Sequence, residues 1–162
     1  MTFYTQFQAP FCDVILAGDD QGISHLHLCT GEGKRVFEIS SEWVRNDAFF
    51  EDAVGQVREY MEGKRDHFDL KLNPSGTEFQ KKVWQELTAI PFGELRTYGD
   101  IASNLGNEKA CRAVGMANSK NPIPLIVPCH RVVGAGGKLT GFAHGLAIKE
   151  KLIRLEQGKT PS

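Results

Sequence analysis

Residues 72–79, "LNPSGTEF", predict a break in regular structure, because Pro74, Ser75 and Gly76 follow one another there. The charge balance changes at the same place: residues 1–74 carry 7 basic and 13 acidic side chains, and residues 75–162 carry 12 and 7. A chain of 162 residues can hold two small domains. We therefore expect a division into 1–74 and 75–162, with a basic second unit that suits a polyanionic partner, although chance alone can give such a swing.

The first unit has the pattern of a small α/β domain. Two apolar runs, "CDVILAG" and "GISHLHL", flank the turn residues Gly18–Gly22 and predict a β-hairpin. The segment "RVFEIS" at 35–40 predicts a third strand, and the alternation in 68–72 predicts another. A helix is predicted between them by apolar residues at helical spacing, namely Phe50, Val54, Val57 and Met61. Nothing in this half indicates chemistry.

The second unit is mainly helical. Thr77 and Gln80 form a capping-box signal at the start of the first helix. Its apolar stripe consists of Phe79, Val83, Trp84, Leu87 and Ile90. Thr97 and Asn107 are candidate N-caps of two short helices, and the turn between these helices predicts a helix-turn-helix. The inward face of the second short helix is predicted to hold Ala110, Ala113, Val114 and Ala117.

The outer face of that second short helix carries one long cation among small side chains. Its members are Glu108, Arg112, Gly115 and Ser119. Such a face suits close approach to a nucleic-acid groove. Small residues also serve tight helix packing, so both interpretations stay open.

Residues 123–131, "IPLIVPCHR", bring a thiol, an imidazole and a guanidinium together after an apolar run. A cysteine reacts as its thiolate, and its ordinary pKa is about 8.5, so a nucleophile needs a base. Neighbours in sequence seldom bond directly, so His130 would take the proton through water or after a tight turn. Glu156 on a predicted last helix could fix the imidazole tautomer. Alternatively, Cys129 is a small core residue, and His130 and Arg131 face solvent.

Several other classes of protein are disfavoured. No apolar run of about 18 residues occurs, so no membrane span is expected. The N-terminus lacks a basic region followed by an apolar core, which favours a cytoplasmic protein. The four cysteines lack C-x-x-C spacing and are expected to be free thiols. His25, His27 and Cys29 would share one face of a strand, which allows a metal site but is more simply explained by a solvated face.

Residues 121–133, "NPIPLIVPCHRVV", resemble the active-site signature of the O6-alkylguanine-DNA alkyltransferases (methylated-DNA–protein-cysteine methyltransferases). The segments 79–107, 111–122 and 145–156 resemble the same family in order and spacing. The resemblance covers most of 75–162, whereas 1–74 shares only length and strand-rich character. It implies an α+β fold, in which a small ribonuclease H-like α/β domain precedes a mainly helical, winged-helix or helix-turn-helix domain.

The family transfers an alkyl group from O6 of guanine to its own cysteine, once per molecule and without a cofactor. By resemblance, Cys129 is the nucleophile, His130 is the base and Glu156 orients it. Tyr98 would donate a proton to the guanine ring, and Asn121 would brace the turn before the active site. Arg112 would enter the duplex and replace the flipped base. Further DNA contacts are expected from Arg131, Ala110, Gly115 and Ser119.

The pocket for the alkyl group departs from the commonest pattern of the family. We expect it to be lined by Val132, Phe142, Ala143 and His144. Phe142 stands where many members have tyrosine. His144 would narrow the pocket, so bulky O6-alkyl groups are not expected to be good substrates. No zinc is predicted, because the N-terminal ligands of some members cannot be aligned here.

The partner implied by the resemblance is double-stranded DNA bound through its minor groove by a monomer, with O6-alkylguanine as substrate and O4-alkylthymine as a further candidate. Three rival readings share some of these features: an alkyltransferase-like sensor that lacks the nucleophile, a methylation-responsive regulator, and a Cys-His hydrolase. The first lacks the cysteine that this chain has. The second uses an extra metal-binding domain, and the third would leave the Arg112 helix unexplained.

Overall fold

The computed structural model describes residues 1–33 and 35–158. Its first half contains a four-stranded sheet of order β3-β2-β1-β4. The strands are β1 (Phe3–Gln8), β2 (Asp13–Asp19), β3 (Gly22–Cys29) and β4 (Val44–Arg45). The predicted hairpin is confirmed, because β2 pairs antiparallel with β3 and places Ile15 opposite His27. Alternate residues of β3, such as Leu26 and Leu28, are buried, as expected for a sheet with one face on a core.

Two strand predictions for this half are wrong. Residues 35–40 do not form a strand, and β1 pairs with β2 instead. The guanidinium of Arg35 donates to the carbonyl oxygens of Ser119, at 2.6 Å, and Asn121, at 3.2 Å, so this segment lies against the second half. Residues 68–72 contribute only an isolated bridge between Leu72 and Ile23.

The helix α1 (Glu51–Met61) confirms the helical spacing seen in the sequence. It packs against the sheet through the fully buried Val57, and Tyr60 near its end is also buried. The hydroxyl of Tyr60 reaches the second half of the chain, where it donates to Glu156.

The second half is mainly helical, so the α+β fold class is confirmed. Its elements are α2 (Glu78–Thr88), β5 (Arg96–Thr97), α3 (Tyr98–Asn104), α4 (Cys111–Ser119), β6 (Val132–Val133) and α5 (Leu146–Glu156). The strands β5 and β6 pair in parallel. Capping boxes begin α2 and α3: Thr77 accepts from the backbone N–H of Gln80, and Thr97 from that of Asp100.

The inward face of α4 lies slightly off the predicted one. Val114 and Ala117 are buried, but Ala113 is exposed, and Asn118 occupies the inner face instead. A 3₁₀ turn, Glu108–Ala110, precedes α4 and changes the angular phase, because it has three residues per turn instead of 3.6. The indole N–H of Trp84 donates to the carbonyl of Ala117 at 2.9 Å and joins α2 to α4.

Candidate active site

Cys129 stands at the end of a braced turn. After α4, the side-chain amide of Asn121 donates to the carbonyl of Val127 at 2.8 Å, and its oxygen accepts from the N–H of Ile123 at 3.0 Å. Within this loop Leu125 has a φ of 77°, in the left-handed region that non-glycine residues seldom adopt. The brace therefore holds a tight loop, and the next residues, Cys129–Arg131, form a 3₁₀ turn rather than a strand.

His130 lies in the interior and meets the carboxylate of Glu156. The side chain is fully buried, and its Nε2 lies 2.6 Å from Oε2 of Glu156 on the last turn of α5. Burial lowers the pKa of His130, and the bond to Glu156 opposes this shift. The imidazole is therefore neutral at rest.

The carboxylate fixes the tautomer of this neutral ring. Burial raises the pKa of Glu156, but hydrogen bonds from His130, Arg131 and Tyr60 outweigh it and hold that pKa well below its usual range. An ionised carboxylate only accepts, so Nε2 of His130 carries the proton. The other nitrogen, Nδ1, is buried without a hydrogen-bond partner among the residues that the structure describes. Its lone pair is free to take a proton, which a general base requires.

Arg131 is not placed at a DNA-facing surface, which corrects the expectation that it contacts DNA. Its guanidinium bonds both oxygens of Glu156, at 2.8 and 3.0 Å, and donates to the carbonyl of Ile90 at 2.7 Å. A buried carboxylate needs a partner of opposite charge, and the planar fork of arginine satisfies both of its oxygens at once. The alternative interpretation, in which Arg131 faces solvent, is also wrong, because the side chain is buried.

Tyr60 is a site residue that the sequence analysis missed. Its hydroxyl donates to Oε2 of Glu156, although it lies on α1 in the half that showed no chemistry. Burial is the main cause that raises the pKa of Tyr60, so it stays a neutral donor. The contact joins residues 96 positions apart, and no local pattern signals such a pairing. Only the unusual polar tip on a buried helical stripe could have drawn attention to it.

The thiol of Cys129 is nearly inaccessible, with 4% of the residue exposed. Burial raises its pKa, while Asn121, Lys149 and Arg35 act in the opposite direction. Lys149, also missed as a site residue, is fully buried on α5 and donates to the carbonyls of Val132, at 2.6 Å, and Thr140, at 2.8 Å. Burial lowers the pKa of Lys149 to about 8. A protonated thiol at rest agrees with the need for a base.

The thiol opens on a cavity of about 10 Å³, roughly one water in size. The wall includes Phe142, Ala143 and His144, as the sequence suggested for the pocket. Val132, also expected in the pocket, is not part of this wall: its side chain is fully buried, and its carbonyl accepts from Lys149. A groove of about 920 Å³ outside shares Phe142 and Ala143 with the cavity and leads to the end of α4.

The outer face of α4 lies beside this groove. Arg112 is exposed, and no hydrogen bond or ion pair joins its side chain to the described residues. Gly115 and Ser119 are half-buried on the same helix. Ala110 is packed in the core, on the inward face that its spacing predicted, and this corrects the expectation that its side chain contacts DNA. Tyr98 begins α3, and a Cβ at Gly141 would lie 3.5 Å from its hydroxyl oxygen, so it stands between the helix pair and the pocket loop.

The possible metal ligands of β3 are placed as the spacing predicted. His25, His27 and Cys29 are half-buried on one face, between the buried Leu26 and Leu28. Within residues 1–33 and 35–158, no group of three or more His, Cys, Asp or Glu side chains is arranged to hold a metal ion. None of the helices in these ranges is both long and apolar enough to span a bilayer.

The fold and site together define a class of protein: a two-part α+β protein that sets a buried Cys-His-Glu array beside a helix-turn-helix with an exposed arginine. Two family models match the chain. Residues 2–74 match the ribonuclease-like domain of 6-O-methylguanine DNA methyltransferase, and residues 78–158 match its DNA-binding domain. The chain therefore belongs to the 6-O-methylguanine DNA methyltransferase family.

Relatives and solved structures agree with this assignment. The methylated-DNA–protein-cysteine methyltransferase of Methanosarcina acetivorans is 53% identical over 95% of this chain and 97% of its own. That of Mycobacterium tuberculosis is 40% identical over 100% of this chain and 96% of its own. The crystal structure of Mycobacterium tuberculosis OGT in complex with DNA superposes with a TM-score of 0.89, over 99% of this chain and 96% of the other. The chain binds DNA and is a DNA-repair enzyme that transfers an alkyl group to a protein cysteine.

Proposed function

We propose that the protein repairs O6-alkylguanine in duplex DNA by moving the alkyl group to Sγ of Cys129, once per molecule. The observation that carries this proposal is the buried imidazole of His130, whose Nε2 is 2.6 Å from Glu156 and whose Nδ1 has no partner among the described residues. That arrangement supplies a base to the neighbouring thiol, which is protonated at rest. A protonated thiol is a poor nucleophile, so Cys129 reacts when the substrate is bound and His130 removes the thiol proton.

The transfer is a displacement at the alkyl carbon. His130 takes the thiol proton through water, the Sγ–C bond forms and the C–O6 bond breaks. The electron pair of that bond goes to the guanine, and Tyr98 supplies a proton to its ring. Solvent then reprotonates Tyr98 and takes the proton from His130. The thioether at Cys129 has no leaving group that water displaces readily, so each molecule acts once.

The target base must leave the stack, because Cys129 is buried and its small cavity shares Phe142 and Ala143 with the groove that reaches the end of α4. Flipping costs a few kcal/mol, and less for a mispaired base, which favours damaged guanine. We propose that α4 enters the minor groove and that Arg112 fills the place of the base, since a guanidinium can stack and hydrogen-bond there. Gly115 and Ser119 would let the helix approach the backbone closely. A monomer is sufficient for all of these contacts, and O4-alkylthymine is a secondary candidate substrate.

We also propose that the two domains are 1–74 and 75–162. The first is more than a support, because Tyr60 donates to Glu156 and Arg35 donates to carbonyls at the end of α4. Both contacts fix residues around the thiol.

Replacement of the nucleophile tests the proposal. We expect Cys129→Ala to accept no label from a duplex whose O6-methylguanine carries a radioactive methyl group, while it still binds that duplex. Cys111→Ala is the matched control, because Cys111 is exposed on α4 and would be labelled first by unspecific alkylation. Label on Cys129→Ala, or loss of label in Cys111→Ala alone, would show that Cys129 is not the acceptor.

A further inference from the structure

A pair of histidines joins the alkyl pocket to the first half of the chain. His144 lies on the loop between Gly141 and Gly145, is 2% exposed and forms part of the wall around Cys129. Its Nε2 is 3.2 Å from Nδ1 of His27 on β3. Burial, with smaller effects of His27 and Arg35, lowers the pKa of His144 to about 3, and burial lowers that of His27. Both rings are therefore neutral at pH 7, and one donates while the other accepts.

His27 is itself held in place by aromatic packing. Its imidazole stacks on Phe37 with the ring centroids 4.9 Å apart and the planes 9° from parallel. His25, two residues earlier on the same face, packs against Trp43 at 5.2 Å, and within the described part of the chain no hydrogen bond or ring contact joins it to the pocket loop. The position of His27 is thus fixed by the sheet on one side and by Phe37 on the other.

The backbone of the pocket loop is held to the same half. The hydroxyl of Thr30 donates to the carbonyl of His144 at 2.6 Å, and the N–H of Arg35 donates to that of Ala143 at 3.0 Å. The ring of Phe142 lies 5.7 Å from that of His144 and completes the wall. Since these bonds hold the loop backbone, a larger group beside Cys129 can be accommodated when the side chain of His144 turns away. That movement breaks its bond to His27.

We propose that His27, through its hydrogen bond to His144, limits the size of the alkyl group that this protein accepts. The inference rests on the proposed transfer to Cys129 and adds a positioning residue from the other domain. The present cavity of about 10 Å³ holds roughly one water, which is close to the size of a methyl group, whereas a benzyl group is much larger and calls for movement of the wall at His144. His27 is remote from the thiol, so its effect should appear in the choice of substrate and not in methyl transfer itself.

The test compares single-turnover rates on two duplexes that carry O6-methylguanine or O6-benzylguanine at one position. His27→Phe keeps a ring against Phe37 but removes the bond, and we expect the benzyl-to-methyl rate ratio to rise at least about tenfold. His27→Asn retains a polar atom near the position of Nδ1 and should stay closer to the wild type. His144→Gly opens the pocket directly and should raise the ratio most. His25→Phe is the matched control and should leave it unchanged.

Thermal unfolding of each variant shows whether it is folded. A ratio in folded His27→Phe within about twofold of the wild type would overturn the inference, whatever His144→Gly does. An equal rise in His25→Phe would overturn it as well, because the effect would then come from the sheet in general. A wild-type protein that accepts neither group refutes the proposed function instead, which separates the two failures.

Discussion

At the scale of single residues, Glu156 determines how the site can work. One carboxylate accepts from His130, Arg131 and Tyr60, and also from the backbone N–H of Gly93 at 3.3 Å. Because these donors outweigh the effect of burial on its pKa, Glu156 stays ionised and keeps the proton of His130 on Nε2. The same charge balances Arg131, so one side chain both orients the base and stabilises the interior.

The variant Glu156→Gln should keep His130 as a residue but change which of its two ring nitrogens carries the proton. An amide can donate to Nε2 of His130, which would favour the tautomer with a proton on Nδ1 and remove the free lone pair. We expect the single-turnover rate of methyl transfer to fall by about a hundredfold or more, as for loss of a general base. Rapid-quench measurement with O6-methylguanine duplex checks this.

Tyr60→Phe is the comparison for that variant, because it keeps the ring and the ionised Glu156. We expect a loss of about tenfold or less in rate, and a loss of about 1.5–3 kcal/mol in the free energy of unfolding for a bond to a charged group. The account would fail if Glu156→Gln reacted within about twofold of the wild type. It would also fail if Tyr60→Phe were slowed as much as Glu156→Gln.

At the scale of elements, α4 connects the proposed DNA-binding face to the pocket. Its inner face packs against α2 through Trp84, and its outer face presents Arg112. Its end is tied to the loop 35–40 by the bond from Arg35 to Ser119 and leads into the brace at Asn121. The helix that would contact the duplex is therefore mechanically continuous with the turn that carries Cys129.

Arg112→Ala should weaken repair of duplex DNA more than repair of a single strand. In a single strand the target base has no pairing partner, and its removal leaves no gap in a duplex for the guanidinium to fill. Arg112 should therefore contribute less to repair of a single strand. We expect about a tenfold or larger loss on duplex O6-methylguanine, from a few kcal/mol of unpairing that is no longer offset, and a much smaller loss on the same single-stranded oligonucleotide.

Lys109→Ala is the control for charge, because Lys109 is an exposed cation on the turn just before α4. It should weaken both substrates about equally, through phosphate attraction that depends on salt. If Arg112→Ala also lost the same factor on both substrates, insertion into the duplex would be excluded, and Arg112 would be a phosphate contact only.

At the scale of the whole molecule, the two halves share one site. Features that depend on neighbouring residues could be predicted from the sequence. These are the capping boxes at Thr77 and Thr97 and the hairpin at Gly18–Gly22. The Cys129–His130–Glu156 set came from a motif and a resemblance. Tyr60 and Lys149 were missed, because their contacts join distant segments that no periodicity links.

The errors have the same origin. The segment 35–40 has strand-like composition, but the bond from Arg35 to Ser119 draws it away from the sheet. Arg131 follows the motif as a cation near DNA, yet the buried charge of Glu156 holds it inside. Tertiary pairing overrode the local preference in both cases, as is common for short segments and for buried charges.

The most direct measurement is the intact mass of the protein after incubation with excess duplex that carries one O6-methylguanine. We predict that every molecule gains one methyl group in place of one hydrogen, that the gain stops at one, and that peptide mapping places it on Cys129. Repeated turnover with an unmodified protein would contradict the proposed transfer. So would a methyl group on another residue, or binding of the duplex without any gain in mass.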